Sequence, residues 1–140
     1  MLSKVLEHVV NSLEGLKANL MFAKERFEAL PSYIKYYAIS DFKSSTGMDF
    51  DGWLNEVDKM MGIVGMIKAN PSKTYLSNIE SFHANLLKLI DYLRGLKVKI
   101  DYLPPGLIPN IDEIIKKFSD MIEELEGLRG GLEQLKNLLQ

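Results

Sequence analysis

Leu2, Leu6, Val9, Leu13, Leu16, Leu20, Ala23, Phe27 and Leu30 follow one another at alternating steps of four and three. Such spacing keeps an apolar seam on one face of a helix over several heptads, and it predicts a helix over residues 2–30. Pro31 ends that helix or opens the next, because proline has no amide to donate and fixes φ near the helical value. The pattern returns in Tyr75, Ile79, Phe82, Leu86, Leu89, Leu93, Leu96, Ile100 and Leu103, predicting a helix over 71–103. Asn70-Pro71 reads as its N-cap and first helical residue, and Pro104-Pro105-Gly106 stops it. A third seam runs through Ile111, Ile114, Phe118, Met121, Leu125, Leu128, Leu132, Leu135 and Leu139, over 110–139. Asn110 and Glu113 form a capping pair there, and Asp112 adds negative charge where the helix dipole favours it. Each seam implies a rod of about 40 Å at 1.5 Å rise per residue, with Gly130-Gly131 a point at which the last one can break.

The middle of the chain reads differently. SYIKYYAISDF is short and aromatic, and predicts a small helix over 32–44. From 51 to 69, Trp53, Val57, Met60, Val64 and Ile67 share one helical face, while Met61, Ile63 and Met66 put apolar surface on the others. A helix apolar nearly all round should be buried on several sides. Gly62 and Gly65 weaken it by about 1 kcal/mol each relative to alanine and invite a neighbouring backbone to approach.

Together these elements predict an all-α fold and a single domain over 1–140. The expected architecture is an antiparallel bundle of four main helices, three long and heptad-patterned and one shorter and apolar, with an extra short helix in the connection. The linker PPGLIPN allows the second and third seams only an antiparallel hairpin. Leu76, His83 and Ile90 on one helix, and Ile115 and Ile122 on the other, widen the seams, as a globular bundle requires.

Composition narrows the chemistry. With no cysteine, disulfides, thiolate metal sites and cysteine nucleophiles are all excluded. The 17 basic and 19 acidic residues are spread along the chain without a dense basic stripe, so direct binding to duplex nucleic acid is not expected. The longest strongly apolar run, MMGIVGMI at 60–67, is far shorter than a bilayer span; membrane insertion is not expected, and a cytoplasmic location is.

GMDFDGWLNEVD, residues 47–58, resembles an EF-hand loop in its order of acids and glycine. Aligned on that loop, Asp49, Asp51, Gly52, Leu54 and Asn55 fall on favourable positions. Gly47 stands where the first carboxylate ligand belongs, and Asp58 where a bidentate glutamate belongs. Capping of the helix that carries Trp53 by Asp49 or Asp51 explains the acids better. Glu80 and His83 make one Glu-x-x-His pair, half of what a two-metal carboxylate bundle needs, and His8 has Val5 where the second glutamate belongs. A phosphotransfer histidine requires exposure and nearby positive charge, whereas His83 sits on the widened seam. There is no nucleophile elbow and no phosphate-binding loop.

No catalytic, metal or cofactor residues are therefore expected. The functional expectation is a non-enzymatic helical interaction or assembly protein, an adaptor, complex subunit or structural oligomer, with a protein partner or self-association. Met60, Met61 and Met66, adaptable side chains suited to varied partners, and Leu135, Leu138 and Leu139 of the LKNLL tail are the candidate interface residues. The alternatives are a bundle holding a small molecule or metal in its core, and a regulator or inhibitor of a larger machine.

Overall fold

The computed structural model describes residues 1–102, 104, 106 and 111–140. The chain folds as α1 (Leu2–Glu28), α2 (Ser32–Thr46), α3 (Phe50–Ala69), a 3₁₀ turn at Lys73–Tyr75, α4 (Leu76–Asp101) and α5 (Ile111–Leu139). No strand occurs among the described residues, and no described helix is long and apolar enough to cross a membrane. Asn110, Leu103 and most of the PPGLIPN linker lie outside the described residues.

α1 packs against α3 and α5, and α4 closes the ring by packing against the same two helices. Cross-helix pairs fix the directions. Lys17 and Lys24 of α1 meet Asp58 and Asp51 of α3, so numbering rises along one helix as it falls along the other. His83 and Arg94 of α4 face Glu133 and Glu126 of α5 in the same antiparallel sense. These partners are largely solvated, and exposed pairs of this kind contribute about 0–1 kcal/mol each. Register is set by the core instead, where Leu13, Leu86, Leu128, Leu132 and Leu135 are sealed between the helices.

α2 crosses one end of the ring, held by α4 and more lightly by α1. The ring of Phe42 stacks on Phe50 at 4.0 Å between centroids. Phe27 meets both edge-on, and Tyr92 meets Phe42 the same way at 5.4 Å. Pairs in these geometries add about 0.5–1.5 kcal/mol each beyond simple burial. α2 ends at Gly47, whose φ of +88° is left-handed and whose amide bonds the Lys43 carbonyl at 2.9 Å. That conformation favours glycine over any residue with a Cβ.

Three expectations change. Asn70 ends α3 instead of capping the next helix, and the chain passes through the Ser72-capped 3₁₀ turn before α4 begins at Leu76. Ser72 and Asn70 are both good capping residues, and Ser72 Oγ accepts from the Thr74 amide at 3.1 Å. α5 continues unbroken through Gly130-Gly131, because Gly131 is buried against α1 and a Cβ there would lie 2.8 Å from His8. Lastly, no neighbouring backbone approaches α3 at its two inner glycines: Gly62 and Gly65 have nothing within 4 Å of where a Cβ would stand, and Met66 is 53% exposed.

Candidate functional site

The three aspartates of GMDFDGWLNEVD are each engaged in structure. Asp49 caps α3, its Oδ1 accepting from the Gly52 amide at 2.7 Å. Asp51 accepts from Lys24 at 2.7 Å and Asp58 from Lys17 at 2.8 Å, both across to α1. The ion pair with Asp51 also raises the Lys24 pKa. Gly47, the residue in place of the first calcium ligand, is the terminator of α2. The loop resemblance thus dissolves into a helix stop, a helix cap and two ties between helices.

Glu80 and His83 point to different partners on α5. Glu80 lies 3.4 Å from Lys136. His83 is half-buried, with its Nε2 shielded and 3.5 Å from Glu133 Oε1, longer than an ordinary hydrogen bond. Lys88 extends toward Gly47 at the end of α2, away from this histidine. His8 donates from Nε2 to the Gly127 carbonyl at 3.0 Å and serves as a contact between α1 and α5. Among the described residues no three acidic or histidine side chains converge as metal ligands would.

The six candidate interface residues divide. Met60 is 1% exposed, and Leu135 and Leu139 are also core, so these three spend their side chains inside the chain. Met61 lines a surface groove of about 410 Å³ between α1 and α3, with Leu2, Leu6, Val10, Val64 and Gly65. Met66 and Leu138 are open to solvent.

A larger feature lies on α2. Tyr33, Tyr36 and Tyr37 are each 75% exposed, and Ile34 is open beside them. The only buried side chains of this helix are Phe42 and Thr46. At 100° per residue the three tyrosines and Ser40 fall opposite Phe42, at i, i+3, i+4 and i+7. This stripe faces water.

No protein-family model, characterised protein or solved structure matches the chain. The surface must therefore be judged on its own chemistry. Tyrosine offers a large flat apolar ring with a hydroxyl that both donates and accepts, and it loses few rotamers when held. It is accordingly enriched at protein interfaces. Sequence reasoning noted the aromatic character of this segment but not its direction. The available signal was the clustering of three tyrosines within five residues, outside every seam.

Proposed function

We propose that this chain is a non-enzymatic, cytoplasmic helical interaction or assembly protein that docks a protein partner on the tyrosine face of α2. The observation that carries the reading is the exposure of Tyr33, Tyr36 and Tyr37 on a helix whose opposite face alone is anchored. Folding α2 onto the bundle leaves that stripe free, and an aromatic stripe at helical spacing gains most when a second protein covers it. Met61 and Met66, at the far end of α3, offer a second and smaller contact.

The first test is solution mass by light scattering across a hundredfold concentration range, for the wild type and a Tyr33→Ser/Tyr36→Ser/Tyr37→Ser variant. A mass that grows with concentration in the wild type and not in the variant identifies a second copy as the partner. If the wild type stays monomeric, a photo-crosslinking residue at position 37 distinguishes a different protein. It should capture a discrete band in source lysate that the same group at the solvated position 14 does not. A monomer with equal capture from both positions overturns the reading.

A further inference from the structure

The three heptad seams close tightly at mid-bundle and part at the end where α1 stops and α5 starts. Ala23, Phe27, Leu96, Ile100, Ile114 and Phe118 continue the seams, yet each is only half-buried. All of these but Leu96 line a cleft of about 590 Å³ framed by the described residues. It shares Ala23, Phe27, Phe118 and Met121 with a smaller apolar void of about 50 Å³ that reaches inward to Leu16, Leu89 and Leu125. The cleft falls in the size range of ligand sites, which are apolar inside with a few placed polar groups.

The polar groups are placed at one lip. The Arg26 guanidinium stands 5.0 Å from the centroid of the Phe22 ring, and Lys117 Nζ stands 4.5 Å from the same centroid. Two cations from different helices thus converge on one aromatic ring at the lip. Neither forms a salt bridge among the described residues, although five other lysines and arginines do. Glu113 is the one acid in the lining. An apolar throat with a cationic lip selects an anionic amphiphile: the chain replaces water along the seam residues, and the head group receives charge-assisted hydrogen bonds.

We propose that this cleft binds one long-chain aliphatic carboxylate, with the tail between α1, α4 and α5 and the carboxylate on Arg26 and Lys117. A single chain is the occupant that matches one cleft continuing, among the described residues, into one small void. The site is separate from the tyrosine face of α2, and neither depends on the other.

The test uses the full chain, refolded from denaturant to strip any carried-over lipid, and titrated with cis-parinaric acid as a fluorescent probe. The expected result is saturation at one equivalent, displacement by palmitate, and weaker displacement by hexadecanol, which has the chain without the charge. Arg26→Glu/Lys117→Glu, two changes on solvated positions, is expected to lower parinarate affinity about tenfold or more, the scale of one or two lost charge-assisted bonds. Ala23→Phe fills the floor of the cleft and should abolish binding, with helix content checked by circular dichroism. Absence of saturable binding overturns the proposal, as does unchanged affinity in the charge-reversed variant. Binding to phosphatidylglycerol vesicles without binding of monomeric palmitate also overturns it, in favour of a membrane surface.

Discussion

Trp53 Nε1 donates to Thr46 Oγ1 at 3.0 Å, and both side chains are completely closed to solvent. The hydroxyl in turn lies 2.8 Å from the Phe42 carbonyl and 3.0 Å from that of Met48. One threonine thereby fastens the last turn of α2 to the chain that enters α3. Replacing it by valine keeps the shape and strands the indole N–H, a loss of about 1–3 kcal/mol. Thr46→Ser, which keeps the acceptor, should lose less. Trp53 is the sole tryptophan, so its fluorescence in a urea titration reads both variants directly; equal stabilities for the two would show that the bond contributes nothing.

Gly130 and Gly131 are adjacent and should respond to alanine with opposite signs. At Gly131 a Cβ would meet His8 at 2.8 Å and Val9 at 3.1 Å, so Gly131→Ala overpacks the contact of α1 with α5 and should cost about 1–3 kcal/mol. At Gly130 nothing lies within 4 Å, and alanine there should stabilise the helix by about 0.4–1 kcal/mol. Thermal melts of the two single variants decide this, and a common sign would contradict the packing described.

Asp49 acts as a helix cap. Asp49→Ala should destabilise the chain by about 0.5–2 kcal/mol, and Asp49→Ser should restore most of that, since a serine hydroxyl caps nearly as well. Millimolar calcium is expected to leave the wild-type melting temperature unchanged. A calcium-dependent rise that disappears in Asp49→Ser would reassign the loop as a metal site.

Burial, reinforced by the charge of Asp41, pushes the Tyr92 phenol up from 10.0 to about 12. Between those two values the folded chain holds a proton that the unfolded chain has released, so stability falls as pH rises through that window. Below pH 10 the contribution is fully present. Tyr92→Phe removes the titrating group, and its stability should decline less steeply than that of the wild type over the same interval. Urea denaturation at stepped pH tests this; parallel declines would mean that Tyr92 ionises as freely in the fold as out of it.

The tyrosine face makes a different demand. Tyr33, Tyr36 and Tyr37 bury little, so changing all three to serine should shift stability by no more than about 0.5 kcal/mol. The same change should remove association. A variant that melts far below the wild type would show that the rings serve the fold and not a partner.

The long helices were legible because their seams obey a strict rule of steps, and Leu13, Leu86 and Leu128 are as deeply buried as their positions foretell. A cap at Asp49 or Asp51 was legible from their place ahead of Trp53, and the structure selects Asp49. The direction of α2 was not. Its inward face shows Lys35, Ala38, Ile39, Phe42 and Thr46, its outward face tyrosines, and tyrosine is amphipathic enough to suit either side. The parting of the seams at one end was equally hidden, since Phe27, Ile100 and Phe118 continue the heptad pattern without interruption. Periodicity states which side of a helix is apolar; it does not state whether the neighbouring helix arrives there.

The ring order has one more consequence. α1 is covered on one side by α3, which follows it closely, and on the other by α5, the last 29-residue helix of the chain. At translation rates of about 5–20 residues per second, α1 waits on the order of ten seconds for that second neighbour. Throughout that interval the nascent chain displays a leucine stripe to the ribosome exit and to every chaperone near it. The lag between making the first helix and covering it is built into the order in which the helices are written.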